Sequence, residues 1–166
     1  ISVEWTGPTQ AGFIIEVISG TDPQADAQWL SRENVTESPL DLHMPGQPGP
    51  YIIRYTYRGT EGTKVLASTP ITLESSSATL NAPRSADAGS TIEVEWTGPD
   101  QSRDVIDVVL ASEDGDDGGR VAFHATKNGS SAVLILPNTP GLYRIRYILR
   151  SGDGDTVLVS RDIQVE

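Results

Sequence analysis

The chain repeats itself. Val3-Glu4-Trp5-Thr6-Gly7-Pro8 returns as Val94-Glu95-Trp96-Thr97-Gly98-Pro99, 91 positions later. Pro48-Gly49-Pro50-Tyr51-Ile52-Ile53-Arg54-Tyr55 returns as Pro140-Gly141-Leu142-Tyr143-Arg144-Ile145-Arg146-Tyr147 at a spacing of 92, and Val65-Leu66-Ala67-Ser68 as Val157-Leu158-Val159-Ser160 at 92 again. Three blocks in one order with a single-residue slip define two copies of one structural unit. The slip falls in the acidic stretch 113–119. Copy 2 begins with a segment, 78–91, that has no counterpart in copy 1, and the serines of 74–77 read as a short linker. The expected domains are therefore 1–75 and 78–166. Copy 1 lacks its first strand, reads as opening in mid-strand like a fragment, and is expected to be the less stable half.

Hydrophobic alternation makes the unit all-β. Ile92, Val94 and Trp96 share one face of a strand, while Glu93 and Glu95 share the other. Runs at 78–82, 105–110, 120–127, 132–136, 142–149, 156–160 and 162–165 follow the same logic, separated by glycine and proline punctuation. Asn128-Gly129 between two such runs is a hairpin signal. The long run places Tyr143, Ile145, Tyr147 and Leu149 inward and Arg144, Arg146 and Arg150 outward. That makes about seven strands per complete copy, the count of an immunoglobulin-like sandwich. Pro-Gly-x-Tyr-x-Ile resembles the tyrosine corner of such folds, and on that mapping 92–97 is strand B, 105–110 strand C and 142–150 strand F. The fold expected is two tandem immunoglobulin-like antiparallel β-sandwiches. Trp5 and Trp96 are expected deep in their cores. Glu16 aligns with Asp107 and Arg54 with Arg146, so each copy is expected to pair a carboxylate with an arginine across strands C and F, on an exposed outer face.

Ile-x-Val-x-Trp-Thr-Gly-Pro, then Asp104-Val105-Ile106, then Pro-Gly-x-Tyr-x-Ile-Arg-Tyr resembles a repeated module of bacterial proteins that contain a von Willebrand factor A domain. The resemblance covers nearly all of copy 2 and most of copy 1, which departs from it at Phe13, where the Asp104 equivalent is lost. It implies tandem recurrence, no enzymatic activity, an exported bacterial origin (periplasmic, cell-surface or secreted) and a spacer, adhesion or interaction role.

Charge narrows the partners. The formal net charge is −11, and both copies carry more carboxylates than bases. Neither offers the basic footprint that nucleic acid or an anionic membrane requires. The absence of cysteine removes disulfides, thiolate metal sites and thiol nucleophiles. No apolar run reaches the length of a membrane span. A protein or a glycan is the partner class left.

Candidate chemistry is sparse. His43 and His124 occupy non-equivalent positions, with no nucleophile elbow beside either, and are expected on strand surfaces. Glu93 and Glu95 lie two apart on one strand face, about 7 Å by strand rise, a separation suited to a glycosidase carboxylate pair. Copy 1 has Ser2 and Glu4 there, which favours a solvated face. The acidic runs Glu113-Asp114-Gly115-Asp116-Asp117 and Gly152-Asp153-Gly154-Asp155 offer hard oxygen ligands for calcium, but aspartate with glycine is also ordinary turn chemistry. End-to-end stacking of the copies would bring Asp100, Asp153 and Asp155 toward Asp22 and Asp26, the set expected to take calcium if any does; otherwise no cofactor is called for. Asn34-Val35-Thr36 and Asn128-Gly129-Ser130 match the glycosylation sequon and read as turns. Trp29 has no tryptophan counterpart in copy 2, where Val121 aligns. It is the candidate contact for a partner or a sugar. The expected function is a non-catalytic structural or adhesion module, with a carbohydrate-binding module and a Glu93/Glu95 glycosidase as the alternatives.

Overall fold

The computed structural model describes residues 1–112 and 119–166. The chain is all-β: among the described residues the one helical element is a 3-10 turn, Thr126–Asn128. It divides into two compact units, Ile1–Ser75 with Ser151–Gly154, and Ser76–Arg150 with Asp155–Glu166. The break in sequence falls within the expected serine linker.

The first unit contains β1 (Ser2–Val3), β2 (Phe13–Ser19), β3 (Trp29–Asn34), β4 (Leu40–Asp41), β5 (Gly49–Gly59) and β6 (Gly62–Leu73). β1 pairs with β4, and a four-stranded antiparallel sheet runs β3-β2-β5-β6. Ile15, Val17, Tyr51, Ile53 and Tyr55 point from the larger sheet into a core closed by Leu42, Met44 and the partly buried Val3, Trp5 and Leu40.

The second unit contains β7 (Thr79–Asn81), β8 (Ser85–Ala86), β9 (Thr91–Thr97), β10 (Val105–Leu110), β11 (Ala122–Ala125), β12 (Ala132–Ile135), β13 (Gly141–Ser151) and β14 (Gly154–Val165). One sheet runs β12-β9-β7 and the other β11-β10-β13-β14-β8. β9 alternates strictly, with Ile92, Val94 and Trp96 buried and the residues between them exposed, as its sequence period requires. The core gathers Val94, Trp96, Ile106, Val108, Leu134, Tyr143, Ile145, Tyr147, Ile163 and Val165. The runs expected as two strands, 156–160 and 162–165, form the single strand β14.

The repeated motifs are contact partners in space, which is why they recur together. Tyr51 Oη donates to the Gln47 carbonyl (2.9 Å) and Tyr143 Oη to the Thr139 carbonyl (3.0 Å), so each unit ties this tyrosine to the backbone four residues upstream in the same way. Tyr147 lies on Gly98: a Cβ there would sit 2.5 Å from the ring, and a Cβ on Gly7 would sit 2.8 Å from the Tyr55 ring. The glycine of Trp-Thr-Gly-Pro is thus required by the tyrosine of Arg-Tyr.

Three expectations are corrected. Asn128-Gly129 does not close a hairpin: β11 pairs with β10 and β12 with β9, so the chain crosses between sheets through the 3-10 turn. The cause is that β10 and β9 each bury a face that needs a neighbour in its own layer. Trp5 is only partly buried, whereas Trp96 is 5 % exposed; β1 is two residues long and leaves the first indole less covered. The carboxylate–arginine pairs expected on an exposed outer face are instead buried, as the next subsection shows.

Candidate binding site on the outer face of the first unit

Glu16 and Arg54 stand opposite each other across β2 and β5, and Asp107 and Arg146 across β10 and β13, in the expected register. Their burial is the surprise. Glu16 and Asp107 are 0 % exposed, Arg54 6 % and Arg146 3 %. Arg54 Nη2 donates to Glu16 Oε1, and Arg58 Nη2 reaches Oε2 at 2.8 Å. Arg146 grips Asp107 through Nε (2.9 Å) and Nη2 (2.8 Å), and Arg120 Nε adds 3.3 Å. Each buried carboxylate therefore meets two guanidiniums, which offsets the loss of water. In the first unit the loop after β2 folds back over this face. The carbonyls of Pro23 and Ala25 accept from Arg54 Nη1 at 3.2 and 2.9 Å.

The same loop leaves a polar pocket beside the ion pairs, walled by Gln24, Asp26, Gln28, Trp29, Arg58 and Thr63. Trp29 is 36 % exposed and lies on the edge strand β3. The pairing of β2 with β3 shifts between Val17 and Ile18, so Leu30 is an extra residue. A bulge of this kind re-aims side chains. Here it brings Trp29 and Arg32, three apart, to one face, with the guanidinium carbon 4.2 Å from the ring centroid. Arg54 Nε is buried without a hydrogen-bond partner beside this pocket. The second unit reverses the order of the pair: Arg120 stacks on Phe123 at 5.7 Å, and Phe123 is 63 % exposed. An aromatic-guanidinium pair backed by a polar pocket is suited to hold a mixed polar and apolar surface.

Of the other sequence candidates, Asp26 alone is among the residues walling this pocket. Glu93 and Glu95 are exposed on β9, where Ser131 Oγ donates to Glu93 (2.6 Å) and Asn81 Nδ2 to Glu95 (2.9 Å). Asp22 caps its own turn by accepting from the Gln24 amide (2.9 Å), and Asp26 is exposed at the pocket wall. Asp100 accepts from Trp96 Nε1 (2.9 Å), Asp153 from Ser151 Oγ (2.8 Å), and Asp155 pairs with Arg150 (3.4 Å). Among the described residues no three His, Asp or Glu side chains gather as a metal-binding group. The run 113–117 lies outside the described residues. His43 follows β4 and His124 sits on β11; both are half-buried rather than on an exposed strand surface, His124 with its ring 6.0 Å from Trp96. Asn34 and Asn128 are exposed.

One buried carboxylate was not singled out by its chemistry in the sequence. Asp104, 0 % exposed, accepts from the amides of Gln101 (3.0 Å) and Arg150 (3.1 Å) and from Tyr147 Oη (3.0 Å). Burial pushes its carboxyl above the ordinary value, and these hydrogen bonds oppose the shift in part. Two of these bonds tie the start of β10 to the end of β13 and the third closes the turn before β10, so it is structural. Arg32, Gln24, Gln28 and Arg58 also escaped the sequence reading; the aromatic at Trp29 was the signal, but neither the bulge nor the folded-back loop is written in a local pattern. No family model matches the chain, and no curated protein matches it.

Proposed function

We propose that the chain is a pair of tandem immunoglobulin-like sandwiches serving as a non-catalytic interaction module of an exported bacterial protein, with the Trp29 face of the first unit as its contact surface. The sheet orders β12-β9-β7 and β11-β10-β13-β14-β8, together with a tyrosine corner in each unit, support the immunoglobulin-like assignment. The observation that carries the function is a contrast. The features shared by the units, the Gly-Tyr contact, the corner and the buried ion pair, are all occupied in holding the fold. The Trp29–Arg32 pair is backed by a polar pocket, whereas in the second unit's reversed pair Arg120 also serves the buried Asp107.

A protein partner fits this surface better than a glycan. Sugar platforms present bare aromatic faces, whereas Arg32 covers one face of Trp29, and the next exposed aromatic of this unit, Tyr57, belongs to the inward series of β5 with Phe13. Tryptophan and arginine are the side chains that dominate protein interfaces. The test applies the intact chain and its Trp29→Ala variant to arrays of extracellular proteins and of glycans. A protein ligand whose affinity falls roughly thirtyfold in the variant, about 2 kcal/mol, is the expected result. A glycan ligand with the same sensitivity would establish the carbohydrate-binding alternative. Ligands indifferent to Trp29→Ala would overturn both.

A further inference from the structure

The lysine and arginine side chains of the first unit are Arg32, Arg54, Arg58 and Lys64. All but the last meet on one face. Arg32 of β3 and Arg54 of β5 stand opposite Glu16 of β2 from its two sides, and residues opposed across an antiparallel pair share a face. Arg58, near the end of β5, joins them through its bond to Glu16. Lys64, opposite Tyr57, alternates to the other face.

The carboxylates on that face do not balance the guanidiniums. Glu16 is fully buried and divides its oxygens, Oε1 to Arg54 and Oε2 to Arg58. Arg54 Nε is left buried with no acceptor, whereas in the second unit Asp107 gives one oxygen to Arg146 Nε and the other to Nη2. Among the described residues Arg32 makes no ion pair and no side-chain hydrogen bond. Its stack on Trp29 engages the face of the guanidinium and leaves the N–H donors unspent. Asp26, exposed on the pocket wall, pairs with none of the three. Arg32, Arg54 and Arg58 against Glu16 and Asp26 leave one positive charge in excess, in a chain of net charge −11. The second unit instead pairs Arg144 with Asp162 and Arg150 with Asp155.

We propose that this face binds the carboxylate of an acidic side chain on a partner protein, gripped by Arg32 and the exposed edge of Arg58, with apolar neighbours of that side chain laid along Trp29. The inference deepens the reading of the Trp29 face as a protein contact and rests on it. Guanidinium and carboxylate match through paired N–H bonds, which fix orientation as well as adding energy. One excess positive charge suits a monovalent carboxylate; a phosphate group, with about two negative charges, would exceed it and meet Asp26. The acidic remainder of the chain repels such a segment elsewhere, so the site sets where the partner docks rather than drawing it from a distance.

The experiment titrates the isotope-labelled intact chain with an acetylated hexapeptide alternating leucine and glutamate, with its glutamine isostere, and with glucuronic acid, while NMR follows the arginine Nε–H and tryptophan Nε1–H signals. The glutamate peptide is expected to shift the Arg32, Arg58 and Trp29 signals and to bind about tenfold or more tightly than the isostere. Arg32→Gln, at an exposed position, is expected to abolish that preference, and Lys64→Gln to keep it. Equal binding of the two peptides, or a preference that survives Arg32→Gln, would overturn the proposal. Glucuronic acid binding as tightly as the glutamate peptide would overturn it too, in favour of an acidic glycan. A protein ligand weakened by Trp29→Ala but indifferent to Arg32→Gln would sink this proposal while leaving the contact surface standing.

Discussion

At the hydroxyl of Tyr147 the second unit places Asp104; against the ring of Tyr55 the first places Phe13. The repeat equates these positions, and the solutions are opposite in kind. Asp104 collects three hydrogen bonds, one of them from Tyr147 itself. Phe13 packs against Tyr55 at 5.8 Å and Tyr57 at 4.8 Å, while Tyr55 Oη turns to the Pro8 carbonyl. A backbone amide from β13 reaches Asp104 in one unit; in the other the Arg58 amide reaches the Gly12 carbonyl instead (2.8 Å). The connection between the strand bearing the tryptophan and the next strand is thus pinned by a buried carboxylate in one copy and by aromatic packing in the other. One fold tolerates either, because what it requires there is a filled site with no orphaned donor.

The sharpest way to break this comparison is at the feature the units keep in common. Glu16→Ala and Asp107→Ala each strand a buried guanidinium and are expected to cost about 3 to 5 kcal/mol, whereas replacing both Asp107 and Arg146 by leucine and methionine is near neutral. Denaturant midpoints measure this, and a loss below about 1 kcal/mol for either single variant would return the pair to an exposed surface role. Next come the tryptophans. Trp96→Ala is expected to cost about 3 to 5 kcal/mol and Trp5→Ala about 1 to 3, since the latter buries less area; equal losses would remove the distinction between the two indoles. Gly98→Ala drives a methyl into the Tyr147 ring and is expected to cost about 1 to 3 kcal/mol by overpacking.

The smallest effect is a pH dependence confined to the second unit. Burial raises the folded-state carboxyl of Asp104 above its unfolded value. Between the two values the folded state binds more protons, so this group's contribution to stability is present below the unfolded value and is lost as pH rises through the folded one. Asp104→Asn removes that slope, and titrating the unfolding midpoint of both proteins reveals it. A mutant with the parent's slope would assign the effect elsewhere.

What the sequence disclosed was what short-range patterns encode. The repeat located both units, strict alternation oriented β9, and the spacing of Glu16 to Arg54 and of Asp107 to Arg146 set the register of the neighbouring strands. Burial of those ion pairs was not legible, because in the first unit it depends on a loop folding back so that Pro23 and Ala25 meet Arg54. Asn128-Gly129 misled for a related reason: its local signal is that of a hairpin, but the sheets on either side claimed β11 and β12 separately. Trp29 was visible as an unmatched aromatic. Its partner Arg32 was not, since only the bulge at Leu30 puts residues three apart on one strand face.

The central claim is that the two units share one framework, held in each by a carboxylate buried between two guanidiniums. Residue-resolved amide exchange on the intact chain, with nothing added, tests it most directly. Because the buried pairs join central strands, the amides of β2 and β5 beside Glu16 and Arg54 are expected to match those of β10 and β13 beside Asp107 and Arg146 to within about tenfold. Protection in only one of the two strand pairs, or a first unit unprotected throughout, would contradict it.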